Sequence, residues 1–245
     1  MLELKNVSYH VADEQGGKEI IKDLDLSLPD GEFIVVTGPN GSGKSTLARL
    51  LMGIYHPTEG QILLDGEDIT NETVTERARR GISFAFQQPV TFKGLRVVDL
   101  LRLAVGRPIS VGVACEYLSR VGLCAKDYVN REVNASLSGG ELKRIEIATV
   151  LARGTRVSIF DEPEAGIDIW SFQSLIQVFE SVREKAKGTV LIISHQERIL
   201  NIADRIAVIE NGRVKTFGPR DEVLPQILGT ASAMQFACER LTGEG

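Results

Sequence analysis

The sequence has few of the features that typify membrane, disulfide-bonded or nucleic-acid-binding proteins. No apolar run in its 245 residues approaches the roughly 18 residues of a membrane span. Its three cysteines form an odd set without metal-ligand spacing, which predicts reduced thiols packed as small hydrophobic side chains. The net charge of −5 provides no basic excess for nucleic acid. We therefore expect a cytoplasmic protein with no nucleic-acid partner and no direct membrane insertion.

The composition is that of a globular protein. Hydrophobic residues make up 43% of the chain and charged residues 25%. The first residues, M-L-E-L, begin directly with an alternating pattern and lack the basic and apolar regions of a signal peptide. The length suits one large α/β domain or a domain that carries a small subdomain.

Segments with strand-like and helix-like apolar spacing alternate along the chain, which predicts an α/β fold with a mostly parallel sheet. Strand-like segments near the start predict an N-terminal antiparallel β subdomain. Residues 90–137 differ, since Val97–Val105 and Val111–Val121 have helical spacing and predict a small inserted helical subdomain. We treat residues 1–245 as a single domain with a C-terminal tail, 218–245, of unassigned role.

A glycine-rich stretch between an apolar run and a helix-like segment gives the first chemical signal. It matches the phosphate-binding P-loop, G-x-x-x-x-G-K-[ST]. Its members are Gly38, Pro39, Asn40, Gly41, Ser42, Gly43, Lys44, Ser45 and Thr46. In such a loop, backbone N–H groups at a helix start surround the phosphates. We expect Lys44 at the β- and γ-phosphates and the Ser45 hydroxyl on Mg²⁺.

Two adjacent carboxylates follow another apolar run. Val157–Phe160 predicts a buried strand that ends at Asp161 and Glu162. Asp161 has the position of the acidic residue that orders Mg²⁺ in P-loop enzymes. Glu162 points elsewhere and suits a general base that acts on the attacking water. Such a pair after a strand is ordinary by itself, but the preceding P-loop makes it a predicted catalytic site.

The stretch L-S-G-G-E over residues 137–141 is the second strong motif. Ser138 is a good helix N-cap, and Gly139 and Gly140 leave amides exposed at the helix start. Here the sequence resembles ABC-type ATPases, whose signature is LSGGQ, with Glu141 in place of the usual glutamine. The resemblance covers residues 1–220 and implies the P-loop NTPase fold of an ABC ATPase, with Mg²⁺-dependent ATP hydrolysis.

Other positions of that family occur in the expected order. Gln87 matches the Q-loop glutamine, which implies a role in sensing the γ-phosphate and the metal. His195 matches the switch histidine. Asp168 matches the D-loop aspartate, although Ala165 stands where many members have serine. The resemblance thus implies that Glu162, His195, Gln87 and Lys44 are the catalytic residues.

The resemblance also implies contacts at both ends of the nucleotide. Tyr9 matches the aromatic residue that stacks on adenine, with His10 as the neighbour that could replace it. In this family the signature contacts the γ-phosphate bound to the opposite subunit. We therefore expect an ATP-dependent homodimer, in which Ser138, Gly139 and Gly140 of one chain complete the site of the other.

Smaller features distinguish among ABC ATPases. Most transporter ATPases have a small residue and then Ile-Ala-Arg-Ala after the arginine of the signature. Here Arg144 is followed by I-E-I-A-T, so Glu146 and Thr149 depart from that pattern. Together with Arg131–Asn134 and residues 76–89, this stretch resembles SufC, the soluble ATPase of the SUF iron–sulfur cluster assembly system. The resemblance implies partners of the SufB and SufD type, which are β-helix scaffold proteins.

Two other functional classes of ABC ATPase remain open. A transport ATPase would place a helix of a membrane permease in the groove beside Gln87, although Glu146 and Arg131–Asn134 argue against it. An ATP-gated clamp on nucleic acid or ribosomes would have tandem or extended ATPase domains and basic surfaces. Residues 90–95 read V-T-F-K-G-L, where SufC proteins commonly have Glu-Ile-Pro-Gly. This departure fits a reduced SUF system with a single SufB-like scaffold.

Overall fold

Two β-sheets and the helices packed against them form the core of the protein. The computed structural model describes residues 1–11, 17–185 and 188–229. The strands are β1 (Leu2–Val11), β2 (Lys18–Leu28), β3 (Phe33–Thr37), β4 (Glu59–Leu64), β5 (Glu67–Asp68), β6 (Ile82–Ala85), β7 (Val157–Asp161), β8 (Thr189–Ile193), β9 (Arg205–Glu210) and β10 (Arg213–Pro219). The helices are α1 (Lys44–Met52), α2 (Val74–Arg79), α3 (Val97–Val105), α4 (Val111–Arg120), α5 (Ala125–Tyr128), α6 (Gly139–Arg153), α7 (Ile169–Lys185) and α8 (Glu197–Asn201). Residues 220–229 are also helical.

The larger sheet has the strand order β10-β9-β3-β8-β7-β6. Its neighbours from β9 to β6 are parallel, and β10 alone is antiparallel, to β9. The hairpin between β9 and β10 turns at Asn211 and Gly212, which both have positive φ, as this turn dipeptide favours. The second sheet, β2-β1-β4-β5, is antiparallel throughout. The predicted fold class, a mostly parallel core with an N-terminal antiparallel sheet, is therefore confirmed.

The central strand β3 separates two hydrophobic cores. All five of its residues are buried, as expected for a strand covered on both faces. Ile34 and Val36 contribute to the core shared with β1, β2 and α1. Phe33 and Val35 contribute to the core shared with α3, α4, α6 and α7. These two packed faces fix the carboxyl end of β3, where the P-loop begins.

Between β6 and α6 the structure contains the helices α3, α4 and α5, and the predicted helix at Val97–Val105 has the predicted bounds. The short helices α5 and α8 and the strand β5 were not predicted. The boundaries set at residues 90 and 137 stay predictions. The tail contributes the end of β10 and a helix whose Val223 and Leu224 are buried, and residues 230–245 lie outside the described part.

The cysteine prediction is only partly correct. Cys115 packs against the larger core, but Cys124, the N-cap residue of α5, is exposed. Cys238 lies outside the described residues. Within the described ranges, no helix combines the length and the apolar character that crossing a bilayer requires.

The carboxyl end of α1 is held by a buried arginine. Arg77 is completely buried and donates hydrogen bonds from its guanidinium to the carbonyl oxygens of Leu50, at 2.6 Å, and Leu51, at 2.9 Å. A third bond, of 2.8 Å, reaches the carbonyl oxygen of Thr70. The first two bonds reach carbonyl groups in the last turn of α1, where helix carbonyls lack the usual partner within the helix, and the third ties that end to Thr70.

Candidate functional site

The P-loop connects β3 to α1 through glycines that no other residue could replace without distortion. Gly43 is the N-cap of α1, with φ at +102°, and a Cβ there would lie 2.7 Å from Cδ1 of Ile21. A Cβ on Gly38 would lie 2.0 Å from the carbonyl oxygen of Ile209. No side chain caps α1. The first amides of this helix are therefore available to an anion.

A cleft of about 530 Å³ opens over this loop. It is lined by Lys18, Ile20, Asn40, Gly41, Gly43, Lys44, Ser45, Thr46, Gln87 and Glu162. The Lys44 ammonium donates 2.8 Å hydrogen bonds to the carbonyl oxygens of Gly38 and Pro39. Burial lowers the pKa of Lys44, and the carboxylates of Glu162 and Asp161 oppose this shift. Lys44 is thus a buried cation at the floor of the cleft.

The predicted carboxylates lie at the end of β7, beside the P-loop. Ser45 donates a 3.0 Å hydrogen bond from Oγ to Oδ1 of Asp161, which is buried. Glu162 has a φ of +44°, an uncommon value for a residue other than glycine. Its Oε2 accepts a 2.6 Å hydrogen bond from Nε2 of Gln87. The structure therefore brings Ser45, Asp161, Glu162 and Gln87 together.

The donor set of this site fits Mg²⁺. Burial raises the pKa of Asp161, and the carboxylate of Glu162 adds to the rise, so a cation beside Asp161 would relieve an unfavourable charge. No cluster of three His, Cys, Asp or Glu side chains occurs in the described part of the chain. Magnesium does not require one, because it is commonly held by one or two protein oxygens together with phosphate oxygens and water. The buried hydroxyl of Ser42 also has no hydrogen-bond partner, so the loop retains an unused polar atom.

Tyr9 does not lie in this cleft. It pairs with Ile21, which is fully buried, so its ring shares the core face of the sheet. The ring is stacked on Tyr55, with centroids 5.1 Å apart and planes inclined by 7°. The suggested substitute, His10, is exposed and contacts Thr58 and Glu19. Neither Tyr9 nor His10 therefore lines the cleft over the P-loop, and register shifts in β1 interrupt the alternation of its side chains around these residues.

The signature motif lines a second cleft, of about 560 Å³. Ser138, Gly139, Gly140 and Asp168 lie there, and none of the residues that line the first cleft does. Ser138 and Glu141 form a capping box, in which Ser138 Oγ accepts from the Glu141 amide and Glu141 Oε2 accepts from the Ser138 amide. The hydroxyl of Tyr128 donates to the other carboxylate oxygen of Glu141 and lowers the pKa of this glutamate. Glu141 therefore stabilises the start of α6.

His195 lies two residues beyond β8, and its ring is exposed. Beside it, Ser194 is fully buried and donates a 2.5 Å hydrogen bond from Oγ to Oε1 of Glu164. The other oxygen of Glu164 is buried without a hydrogen-bond partner. Burial raises the pKa of Glu164, and the Ser194 hydroxyl and the nearby His195 oppose the rise. The sequence motifs did not single out Glu164.

A buried ion pair on α6 contacts the residues that follow β6. Lys143 is almost completely buried, and its ammonium nitrogen lies 3.0 Å from Oε2 of Glu146. Glu146 Oε1 accepts a 2.9 Å hydrogen bond from the amide of Phe86. The ammonium of Lys143 donates to the carbonyl oxygen of the same Phe86. Of the two departures noted in this helix, Glu146 therefore contacts the segment that leads to Gln87, whereas the Thr149 hydroxyl donates to the carbonyl oxygen of Ile145 within α6.

An apolar groove of about 160 Å³ adjoins this pair. Phe86, Val90 and Phe92 line it and are 43%, 49% and 39% exposed. Leu142, Glu146 and other side chains of α6 form its opposite wall. Large apolar side chains that remain accessible in one place are typical of a protein contact surface.

Comparisons with known proteins agree with this geometry. The ABC transporter family model matches residues 21–165. The chain is 39% identical over 217 residues to the uncharacterized ABC transporter ATP-binding protein MJ0035 of Methanocaldococcus jannaschii, covering 85% of this chain and 86% of that protein. It is 32% identical over 233 residues to the probable ATP-dependent transporter ycf16 of Cyanophora paradoxa, covering 89% of this chain and 88% of that protein.

A solved structure with the same fold is the dimeric, post-hydrolysis state of the ATP-binding cassette MJ0796 bound to ADP and Pi. The match has a TM-score of 0.79 at 26% identity and covers 90% of this chain and 99% of that one.

Proposed function

This chain belongs to the ABC transporter family of ATPases, and on that premise we propose that it is a SufC-like motor subunit. Two copies would close on ATP and change the conformation of an attached scaffold of the SufB or SufD type during iron–sulfur cluster assembly. The main support for ATP hydrolysis is the pair of hydrogen bonds beside the P-loop, from Ser45 to Asp161 and from Gln87 to Glu162.

In this proposal the P-loop holds the triphosphate. The uncapped start of α1 binds phosphate oxygens, and Lys44 exchanges its bonds to loop carbonyls for the β- and γ-phosphates. Mg²⁺, held by Ser45, Asp161 and Gln87, would neutralise charge on the phosphates when bound. Glu162 accepts a proton from the attacking water, and Gln87 orients its carboxylate. Ile20 and Val11, not Tyr9, provide the apolar contact for the base, since Ile20 lines the cleft and Val11 pairs with Lys18 beside it.

The separation of the two clefts supports the proposed dimer. Ser138, Gly139, Gly140 and Asp168 line a cleft that no P-loop residue shares. A second copy in head-to-tail orientation would place this cleft over the bound γ-phosphate, with His195 at the edge of the closed site. The dimeric cassette MJ0796, bound to ADP and Pi, supports such an assembly by similarity.

Support for the SUF partner comes from the departures that this chain shares with SufC. Glu146 replaces the small residue of transporter ATPases, and it lines the groove where Phe86 is exposed. A scaffold segment that enters this groove would contact Phe86, Val90 and Phe92. The metal-cluster ligands would then belong to the scaffold.

A membrane transporter is the second candidate. The observation that favours it is that the relatives from both named organisms carry transporter names. The same groove would then receive a cytoplasmic segment of a permease, and the ATP chemistry would be unchanged.

Purification of the full chain from its native lysate with ATP, followed by mass spectrometry, distinguishes the candidates. A soluble β-rich scaffold that carries iron or cluster-forming cysteines would support cluster assembly. Recovery of a multi-span membrane protein, only with detergent, would replace it with the transporter function. A Phe86→Asp variant should lose either partner.

A further inference from the structure

The strongest feature outside the nucleotide cleft is the buried ion pair of Lys143 and Glu146. The side chain of Lys143 is 1% exposed and that of Glu146 is 16% exposed. A buried pair of charges rarely adds stability over apolar residues of the same size, because both groups lose their hydration. Its presence in α6 therefore calls for another reason.

Both charged groups form hydrogen bonds with the backbone of Phe86. Glu146 accepts the N–H of Phe86 at 2.9 Å, and Lys143 donates to the C=O of Phe86. The Lys143 ammonium also lies 3.5 Å from the carbonyl oxygen of Gln87. One ion pair thus fixes the peptide groups on both sides of Phe86 and the direction in which the chain enters Gln87.

The residue after Phe86, Gln87, lines the nucleotide cleft. Gln87 donates to Oε2 of Glu162 at 2.6 Å. The helix that carries the pair, α6, begins at the signature residues in the second cleft. Phe86 and Glu146 also line the apolar groove. The pair lies on the signature helix α6, and Glu146 lines the groove. It also holds the segment whose next residue, Gln87, contacts the proposed general base, Glu162.

We propose that Lys143 and Glu146 are positioning residues for ATP hydrolysis, which hold Phe86 so that Gln87 orients Glu162. The inference rests on the proposed ATPase mechanism. The proposal gives a role to Glu146, which stands where most transporter ATPases have a small residue. Neither residue lies in the nucleotide cleft, so the pair acts on turnover and leaves nucleotide binding largely unchanged.

The decisive variant replaces the pair by apolar residues of similar size, Lys143→Met with Glu146→Leu. Such replacements of buried ion pairs often preserve or raise stability. We expect an unfolding temperature close to that of wild type and a kcat reduced by about tenfold or more. The KM for ATP and the affinity for a fluorescent ATP analogue should stay near wild type. Hydrogen exchange should show faster exchange at the Phe86 amide and unchanged protection in α1.

Glu146→Gln provides a milder second test, because the amide oxygen can still accept from Phe86 while the charge is lost. Its control is Asp99→Asn, which removes a carboxylate from another pair with three-residue spacing, Arg96 with Asp99 on α3. We expect Glu146→Gln to keep a higher kcat than the double variant, because the bond to Phe86 is retained, and the control to match wild type.

Full activity in the folded double variant would overturn the proposal and leave the pair a purely structural role. A kcat for Glu146→Gln as low as that of the double variant would also overturn it, since the bond to Phe86 would then not matter. An inactive wild-type protein would instead refute the ATPase mechanism, and exchange at the Phe86 amide would still test the contact by itself.

Discussion

Gln87 and Glu162 are joined by a hydrogen bond of 2.6 Å, from the amide Nε2 of Gln87 to Oε2 of Glu162. The two residues follow β6 and β7, which are adjacent parallel strands, so their carboxyl ends lie side by side. Both line the cleft above the P-loop. The carboxylate that we propose as general base is therefore already oriented toward the cleft by a neutral donor.

Glu162→Gln tests the role of that carboxylate. We expect ATP turnover to fall by about 100-fold or more, because an amide cannot accept the proton of the attacking water. ATP binding should persist, so closed dimers should accumulate with MgATP. Phosphate release and sedimentation measure the two effects, and Glu59→Gln on β4 is an exposed control. Unchanged turnover would remove Glu162 from the reaction.

Lys44→Ala tests the phosphate site. Lys44 is 6% exposed as a residue, and its ammonium forms two hydrogen bonds to loop carbonyls, so its position is well defined. We expect ATP affinity to fall by about 10- to 100-fold or more, as for the loss of a hydrogen bond to a charged group. Calorimetric titration with MgATP provides the measurement, and the exposed Lys5→Ala on β1 is the control. Equal affinities of the two variants would contradict the assignment.

Tyr9→Ala separates a structural from a nucleotide-binding role. Since the ring stacks on Tyr55 at 5.1 Å, we expect a loss of about 2 kcal/mol in the free energy of unfolding. ATP affinity should change little, whereas Ile20→Ala should weaken it by about threefold, from the lost apolar contact in the cleft. Urea denaturation and calorimetry give the two quantities. A large loss of affinity with stability unchanged would restore Tyr9 as the adenine contact.

Glu164 provides a pH-dependent prediction. Burial raises its pKa in the folded protein, so the folded state binds this proton more tightly than the unfolded chain. Its contribution to stability is full below the ordinary carboxyl pKa and is lost as the pH rises through the folded pKa. We therefore expect Glu164→Gln to be more stable than wild type by about 1 kcal/mol near neutral pH and equal to it in acid.

Urea denaturation of both proteins across that pH range measures the difference in unfolding free energy. Glu184→Gln on α7 serves as the exposed control. A difference between wild type and Glu164→Gln that did not vary with pH would show that desolvation of this carboxylate is not its cause.

The sequence predicted the parts of the site that depend on local chain geometry. The P-loop requires a strand, a glycine turn and a helix start in immediate succession, and these are contiguous in the chain. The meeting of Ser45 with Asp161 was predictable because the carboxyl ends of parallel strands share one edge of a sheet. The roles of these residues stay predictions.

Contacts that depend on irregular backbone or on distant segments were not predictable. In β1 the alternation breaks near Asn6, which has a φ of +49°, and both Val7 and Ser8 are buried. No pattern of period two could therefore tell which way Tyr9 points. Likewise, Glu146 was visible as an unusual residue, but its contact with Phe86 spans 60 positions and arises from packing of α6 on β6.

The guanidinium of Arg77 has a consequence for how ATP could move this protein. It fixes the last carbonyls of α1 to Thr70, so the phosphate-binding helix is anchored at the end opposite its ligand. Under the proposed mechanism, these bonds oppose a shift of α1 along its axis when charge arrives at its first turn. We then expect the displacement that reaches a partner to arise in the chain beyond β6, where the groove lies.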